Sequence, residues 1–469
     1  MSSPGSAQTV DPGLVERSRV LALVRRHGWN ATSFQVLERG YCYWFDGDDA
    51  CVAYVDTGSA WVAAGAPIAA EERLGTVAHA FVSAAARARR SACFFATEQR
   101  FVGVTGFRHL LIGEQPVWDP RRWRATLDQA PSLREQLRRA RAKGVRVSAV
   151  GPADYAPGSP LRRSVEALIA SWQGSKAMPP MGFLVRVEPF ELADERRLFV
   201  ATLEGGRGEE GARLVGFAAV VPVYARNGWF IDDLIRSPTA PNGTTELLVD
   251  AAMNDAAASG SDYLTLGLSP LAGDVAPSLS LARRYATPLY DFRGLWAFKA
   301  KLRPERWMPI HLSHPAGRSA LGAVYQSLRA FARRGLLRYG LETLLRGPDV
   351  VLRAFALALI PWTLLLASLP SERWFPAPWV QWAWVGFDLA LATSLLVSTR
   401  GFRSWLSRAI VVAVSLDACI TSVQAILFNV RRIEGFADAA GVLLAVLAPL
   451  LASLVLANAD RRARRVYGH

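Results

Sequence analysis

The residues with the clearest chemical potential lie in one segment, WFIDDLIRSPTAPNGTTELLVDAAM (229–253). Its apolar pattern predicts a strand, a turn and then a helix over 244–258. Asp233 and Arg236 fall at the end of the strand. Alternation along the strand predicts that Asp232 faces away from Asp233. An acid and a base beside a helix N-terminus, which attracts anions, suit an acyl-transfer site.

The turn between this strand and helix limits which substrates or cofactors could bind there. We expect Asn242 and Gly243, which open the helix, to contact substrate. Glu246 in its first turn either joins the catalytic groups or complements the helix dipole. Pro238 and Pro241 have no N–H to donate, and the turn lacks closely spaced glycines. Ordinary binding of the coenzyme A pyrophosphate is therefore not expected in this turn.

The elements that would position these residues form two similar α/β passes. In the first pass we predict strands over 41–45, 51–55 and 61–69, then a helix over 71–90 and a strand over 92–98. The second begins with a helix over 161–173, followed by strands over 197–204, 214–224 and 229–235. A helix over 244–258, a strand over 262–268, a helix over 278–286 and a strand over 289–293 complete it. This order matches the later part of the acetyltransferase fold known as GNAT.

A strongly basic stretch, SLREQLRRARAKGVRV (132–147), separates the two passes. At helical spacing Arg134, Arg138 and Arg141 share one face. Such a face can neutralise an RNA backbone without reading its sequence, and a solvated surface helix without a partner is the alternative interpretation. The formal net charge of +14 favours nucleic acid or anionic lipid as partner, although a high-GC genome also enriches arginine.

The cysteines and the N-terminus argue against metal-binding and secreted classes. None of the four cysteines lies in a CxxC pair, and no histidine cluster has metal-ligand spacing, so neither a metal nor a disulfide framework is expected. The first residues lack the charged region and apolar core of a signal peptide. We therefore expect the first large domain to stay in the cytoplasm.

The last part of the chain is apolar. Four stretches approach bilayer-spanning length, near 350–369, 377–398, 409–430 and 437–458. Arginines precede the first stretch, separate the second from the third and follow the fourth, which predicts cytoplasmic termini. Asp388 and Asp417 are either functional or hydrogen-bonded inside a helical bundle. Before the stretches, 316–346 predicts basic amphipathic helices that suit an anionic membrane face, or a plain helical linker.

Several segments resemble the catalytic domain of bacterial phosphatidylglycerol lysyltransferases, the multiple peptide resistance factors, and they follow one another along the chain in the order found in that family. DLIRSPTAPNGTTELL resembles the signature of that family. The other similar segments are GAPIA (65–69), GFRHLLIGEQPVWD (106–119), SLREQLRRARAKGVRV, YLTLGLSPLAG (263–273) and LYDFRGLWAFKAKLRPERWMPIHL (289–312). The resemblance covers approximately residues 40–315.

The resemblance implies an α/β fold of tandem GNAT-like (acyl-CoA N-acyltransferase-like) domains that moves an amino acid from aminoacyl-tRNA to a lipid hydroxyl of phosphatidylglycerol type. An aminoacyl ester is already activated, so this transesterification needs no ATP and no cofactor beyond aminoacyl-tRNA as co-substrate. Asp233 and Arg236 align with the acidic and basic pair of the family. The resemblance implies that Asp233 orients the substrate amino group or helps the proton transfer, and that Arg236 holds a phosphate of lipid or tRNA. Lys299, Lys301 and Arg303 align with basic positions of its C-terminal motif, where they would contact phosphates unless they form a solvated strand end.

The predicted organisation has four parts. An N-terminal GNAT-like subdomain over 1–130 precedes a C-terminal GNAT-like catalytic subdomain over 131–315. A basic amphipathic linker over 316–348 then leads to an all-α region of four transmembrane helices over 349–460. The expected partners are aminoacyl-tRNA, anionic phospholipid and the membrane. The expected location is the bacterial inner membrane, as a multi-pass protein with its catalytic region in the cytoplasm.

Two departures from the family leave alternatives open. The family usually carries its membrane helices before the catalytic domain, as a lipid flippase, whereas four stretches follow it here. SKAMPPMGF (175–183) stands where the family often has charged residues, so the amino acid and the lipid acceptor stay open. The alternatives are an acyl-coenzyme A or peptidoglycan-type aminoacyltransferase of the same fold, and a non-catalytic membrane sensor of lipid or RNA.

Overall fold

The chain folds as two compact units, seen in a computed structural model. The first comprises Met1–Trp172 with Pro180–Leu336, and the second comprises Gln173–Pro179 with Leu337–His469. The residues that the structure describes are 12–104, 106–176, 178–204, 212–273, 291–332, 335–346, 348–398 and 404–467. The predicted linker over 316–348 is thus divided between the two units near Leu336.

The first unit is built on one sheet. Its described strands are β1 (Cys42–Phe45), β2 (Cys51–Asp56), β3 (Ala60–Ala64), β4 (Ser91–Thr97), β5 (Phe107–Trp118), β6 (Val145–Val150), β7 (Arg197–Leu203), β8 (Arg213–Val223), β9 (Gly228–Arg236), β10 (Tyr263–Thr265), β11 (Ser269–Pro270) and β12 (Arg306–Pro315). Its described α-helices are α1 (Pro12–His27), α2 (Leu74–Arg87), α3 (Gln99–Val102), α4 (Trp123–Asp128), α5 (Pro131–Ala142), α6 (Pro160–Ser175), α7 (Thr244–Ala258), α8 (Phe292–Lys301) and α9 (Ala320–Phe331).

Each half of the sheet repeats one supersecondary unit. In the first half, the antiparallel strands β1, β2 and β3 are followed by α2, which crosses to β4, parallel to β3. In the second half, the antiparallel strands β6 to β9 are followed by α7, which crosses to β10, parallel to β9. A helix that joins parallel strands is the βαβ solution to this connection. The repeat explains the two similar passes in the sequence.

Strands β5 and β12 join the two halves into one sheet. β5 pairs with β10 on one side and with β12 on the other, and β12 pairs with β4. The resulting order is β1-β2-β3-β4-β12-β5-β10-β9-β8-β7-β6. The last strand of the second half therefore lies inside the first half, and the boundary predicted near residue 130 does not separate two independent bodies.

Helices cover both faces of the sheet. On the second half, α5 and α7 bury one face around Trp118, Leu133 and Leu248, and α6 covers the opposite face around Phe217. On the first half, α2 packs its apolar stripe on Phe94. Burial on both sides explains why the central strands have continuous apolar runs.

The structure corrects the last elements predicted in the second pass. The strand predicted over 289–293 does not form in its described part, because α8 begins at Phe292 and the Asp291 side chain caps it by accepting the Gly294 N–H at 2.7 Å. The helix predicted over 278–286 lies outside the described residues. The pair of helices predicted over 316–346 is confirmed as α9 and α10 (Leu336–Arg346).

The second unit is helical. Besides α10, its described helices are α11 (Pro348–Ser368), α12 (Ser371–Trp374), α13 (Pro378–Ser398), α14 (Ser404–Gln424) and α15 (Phe436–Tyr467). Three described segments are long and apolar enough to cross a membrane, namely Pro378–Ser398, Trp405–Arg432 and Phe436–Asn458. In the first predicted span, the apolar segment of α11 is the shorter Phe355–Ser368.

The two aspartates of the predicted spans have partners within this unit. Asp388 is buried, and its Oδ2 lies 3.5 Å from the Thr363 Oγ1 of α11. Asp417 accepts a hydrogen bond from Thr421 at 3.0 Å on its own helix. The Asp388 contact agrees with the interpretation of a bundle-facing aspartate bonded to a neighbouring helix.

Candidate functional site

A β-bulge determines how the two aspartates of β9 are presented. Asp233 pairs with Ala219 of β8, whereas Ile231 pairs with the next residue, Val220, so that Asp232 is an extra residue without a partner in the ladder. A bulge interrupts the alternation of side chains. The alternation on which the prediction for Asp232 rested is therefore interrupted, and the Asp232 carboxylate is close enough to raise the pKa of Asp233.

A single buried arginine organises this cluster. Arg196, at the start of β7, donates to Glu38 at 3.0 Å and to Asp232 at 3.1 Å. Gln35 donates to the other oxygen of Asp232 at 2.6 Å. Less than 3% of the Arg196, Glu38 and Asp232 side chains is exposed. Gln35 and Glu38 come from the first half and Arg196 and Asp232 from the second, so the cluster lies where the two halves meet.

The cluster has more acids than bases, which shifts their proton affinities. Burial and the nearby Asp232 carboxylate raise the pKa of Glu38 to about 8. Burial and the same neighbour raise the pKa of Asp233 well above its usual range. Among the described residues, Glu38 Oε2 and Asp233 Oδ2 are buried without a hydrogen-bond partner. The cluster therefore has unused acceptor capacity that suits a cationic group.

The helix that follows β9 has a second polar contact set. Glu246 of α7 is buried and accepts from Gln136 at 2.8 Å and from Lys301 at 3.1 Å. Gly243 has a φ of +98°, and a Cβ there would lie 2.8 Å from the Cβ of Ala140. A glycine is thus required at this position for α7 to pack on α5. Exposed Asn242 lies beside it.

Lys299 is placed differently from the predicted phosphate contact. It lies on α8, is buried, and its Nζ donates to the backbone carbonyls of Leu266, Gly267 and Leu268 at 2.8–3.0 Å. Burial lowers the pKa of Lys299 to about 7. These contacts use the three donors of an ammonium, so its role here is to hold the turn after β10.

The other predicted basic residues do not converge with Lys299. Lys301 is about one-third exposed and pairs with Glu246. Arg303, just after α8, has a φ of +53° and is exposed. Arg236 is exposed at the end of β9, where it donates to the Ala240 carbonyl at 3.3 Å. Exposed guanidinium groups such as Arg236 and Arg303 are accessible to a phosphate without belonging to the buried cluster.

The three arginines predicted to share one face of α5 are each at least half exposed, and each also pairs with a carboxylate. Arg134 and Arg138 are at least half exposed, although Arg138 also pairs with Glu135 at 2.7 Å. Arg141 donates to the buried Asp250 at 2.6 Å, and the other oxygen of Asp250 accepts from a tryptophan. Arg141 therefore fixes α5 against α7.

The residues that sequence reasoning missed are Gln35, Glu38 and Arg196. They lie far apart in the chain, with 158 positions between Glu38 and Arg196, and no local pattern marks them. The available signal was the charge-rich segment that leads into β7, which contains Arg196 and Arg197 together. Arg197 pairs with Asp255 near the surface and Arg196 turns inward, a difference that strand alternation produces.

Comparison with known protein families identifies the α/β region. The family model described as "Phosphatidylglycerol lysyltransferase, C-terminal" matches residues 21–312, which include both halves of the sheet and the cluster around Arg196. This chain belongs to that family. The predicted recognition is confirmed.

Similar solved structures support the same fold. The structure of L-PGS from Bacillus licheniformis has 20% identity and a TM-score of 0.58, and the match covers 71% of this chain and 99% of that one. The C-terminal domain of a putative lysylphosphatidylglycerol synthetase from Agrobacterium fabrum has 21% identity and a TM-score of 0.57, with 67% and 96% covered. The predicted α/β class of tandem GNAT-like domains is confirmed, and the helical region that follows has three segments of spanning length.

Curated relatives match over shorter shares of their length. The phosphatidylglycerol lysyltransferase of Bacillus subtilis is 24% identical over 314 residues, which is 64% of this chain and 35% of the relative. An uncharacterised protein of Corynebacterium glutamicum is 26% identical over 181 residues, which is 35% of this chain and 22% of the relative. The chain thus spans about a third or less of the curated relatives that it matches.

Proposed function

We propose that this protein transfers an aminoacyl group from tRNA to the hydroxyl of an anionic glycerophospholipid. The observation that carries the proposal is that the match to the phosphatidylglycerol lysyltransferase family spans residues 21–312, which contain the buried acidic cluster. Membership of this family supports aminoacylation of a lipid as the general activity. The tRNA donor and the lipid acceptor are the finer parts of the proposal.

The buried cluster supports the binding of an amino acid. An aminoacyl ester carries a cationic amino group, and the cluster offers three carboxyl groups against the one guanidinium of Arg196. The unpartnered oxygens of Glu38 and Asp233 would accept its N–H donors. Binding a cation lowers the pKa of nearby carboxyl groups, so arrival of the substrate would ionise them.

The reaction is a transesterification. The lipid hydroxyl oxygen attacks the ester carbonyl carbon, a new C–O bond forms, and the bond to the tRNA ribose oxygen breaks. The proton of the lipid hydroxyl moves to the departing ribose oxygen. Asp233, ionised by the bound amino group, takes this proton and returns it. Exposed Arg236 and Arg303 would hold phosphates of lipid or tRNA, and Arg134 and Arg138 would contact the RNA backbone.

The membrane helices would keep the enzyme at its acceptor. Three segments of spanning length follow the α/β region, and arginines cluster at their predicted inner ends. We infer a multi-pass protein of the bacterial inner membrane with the α/β region in the cytoplasm, where aminoacyl-tRNA is found.

The proposal is tested with the purified full chain in proteoliposomes that contain phosphatidylglycerol. Lysyl-tRNA and alanyl-tRNA, each labelled in the amino acid, are offered separately, and label is measured in the lipid phase. We expect label in the lipid with one donor, and none after ribonuclease treatment. Failure with a full set of aminoacyl-tRNAs, together with transfer from an acyl-coenzyme A, would replace this function by the coenzyme A alternative.

A further inference from the structure

The outer face of α9 is apolar and uncovered. Leu321, Tyr325 and Leu328 are spaced at i, i+4 and i+7 and are 71%, 51% and 52% exposed. The opposite face of the same helix buries Ala323 and Ala330. Three large apolar side chains in one exposed stripe are uncommon in water-soluble surfaces and mark a docking surface.

The chain segment that carries this stripe is rich in arginine and has few acidic residues. No aspartate or glutamate occurs between Glu305 and Glu342, whereas six arginines do, at 306, 318, 329, 333, 334 and 338. Arg329 extends the stripe, and its guanidinium lies 6.0 Å from the centre of the Tyr325 ring. An apolar stripe bordered by arginines is the pattern of a helix that lies in the interface of an anionic bilayer.

A cavity of about 290 Å³ opens at the carboxyl end of α9. Arg329 and Arg39 line it, and Arg329 is held by the Thr57 carbonyl at 2.6 Å and the Ser59 hydroxyl at 2.7 Å. The acid in its wall, Asp56, is paired with Arg90. Arg39 pairs with Glu191 at 2.8 Å, whereas Arg329 donates to neutral oxygens, so the guanidinium of Arg329 carries the charge that suits an anionic headgroup.

The wall of this cavity connects to the buried cluster. Tyr41 lines the cavity and its hydroxyl accepts the Leu184 N–H at 2.9 Å. Gln35 donates to the Leu184 carbonyl at 3.0 Å and to Asp232 at 2.6 Å. One short set of hydrogen bonds therefore separates the cavity from the candidate site.

We propose that the outer face of α9 docks on the surface of an anionic lipid bilayer and that the cavity at its carboxyl end receives the headgroup of one lipid. Only residues 332–347 separate α9 from α11, which begins the apolar helical region, so the same chain that enters the membrane carries this face. The identity of the lipid as acceptor rests on the proposed function, whereas the docking itself does not.

Depth-dependent quenching tests the docking without requiring activity. The full chain, with the exposed Cys42 and Cys419 replaced by serine, receives a fluorophore at Leu321→Cys or Leu328→Cys and is reconstituted with lipids brominated in their acyl chains. Ala258→Cys, exposed at the end of α7, is the control. We expect quenching at 321 and 328 that grows with the fraction of phosphatidylglycerol over phosphatidylcholine, and little at 258.

Quenching at 321 and 328 no greater than at 258 would overturn the docking, and quenching that ignores the lipid charge would overturn its assignment to an anionic surface. A kinetic arm links the surface to turnover. Leu321→Asp with Leu328→Asp should raise the half-saturating mole fraction of anionic lipid about fivefold or more, because each added charge opposes the negative surface. The half-saturating concentration of aminoacyl-tRNA should stay unchanged. If wild type shows quenching and no turnover, the proposed function fails and the docking stands.

Discussion

Replacing Glu38 by glutamine tests the electrostatics of the buried cluster. Burial and Asp232 raise the pKa of Glu38 from 4.5 to about 8, so the folded state keeps a proton that the unfolded chain releases between these values. The folded state then binds more protons than the unfolded state, and stability is present at low pH and falls as the pH rises through about 8. At about 1.4 kcal/mol per pKa unit, the loss is on the order of 3–5 kcal/mol.

Glu38→Gln keeps a side-chain oxygen for Arg196 and removes the titrating group. Thermal unfolding of the detergent-solubilised full chain, measured from pH 5 to pH 8, should show a falling midpoint for wild type and a clearly smaller fall for Glu38→Gln. A smaller slope should remain, because Asp232 and Asp233 also have raised pKa values. Asp48→Asn, whose side chain is fully exposed, is the control and should follow wild type. Parallel curves for Glu38→Gln and wild type would refute the proposed proton uptake by this cluster.

Three further variants separate structural from functional roles. Lys299→Met should lower the unfolding free energy by roughly 2–4 kcal/mol in thermal unfolding, because it leaves the carbonyls of Leu266–Leu268 without a donor. An unchanged unfolding midpoint together with lost activity would support phosphate binding by Lys299 instead. Arg236→Ala should reduce aminoacyl transfer about tenfold or more at an unchanged unfolding midpoint, since an exposed guanidinium contributes to phosphate binding and not to the core. Arg134→Ala with Arg138→Ala should weaken tRNA binding and reduce its log–log salt slope by about 2 in filter-binding titrations, and an unchanged slope would remove α5 from the RNA contact.

Local patterns predicted most of the fold. The hairpin of β1 and β2, the α7 helix and the strands β7, β8 and β9 follow from turn residues and apolar periodicity, and the structure has them within a few residues of the predicted bounds. β12 could not be predicted from local sequence, because its partners β4 and β5 lie about two hundred positions earlier in the chain. β12 forms because it pairs with strands of the first half, and the local apolar periodicity of a segment carries no information about such distant pairing.

The candidate site was only partly accessible from sequence. Asp233 was predicted because it aligns with the acidic position of the family at the end of a strand, and its catalytic role stays a prediction. The alternation assumed for Asp232 is interrupted by the bulge, which depends on how β9 aligns with β8 and not on β9 alone. Lys299 was predicted to contact phosphate, with a solvated strand end as the alternative, whereas it is buried on α8. Glu38 and Arg196 needed the tertiary structure, because a buried ion pair is created by the meeting of the two halves.

A lipid extract tests the central claim most directly. Wild type, Asp233→Asn and the exposed-site control Asp48→Asn are expressed to equal levels in a bacterial host that lacks aminoacylated lipids, and total lipids are compared by mass spectrometry and ninhydrin staining. Aminoacyl transfer to lipid predicts a new ninhydrin-positive phospholipid with wild type and Asp48→Asn and its absence with Asp233→Asn, and the mass of this lipid identifies both the amino acid and the acceptor. An unchanged lipid profile in all three strains would contradict the proposed activity, and a new lipid that persists with Asp233→Asn would remove Asp233 from the reaction.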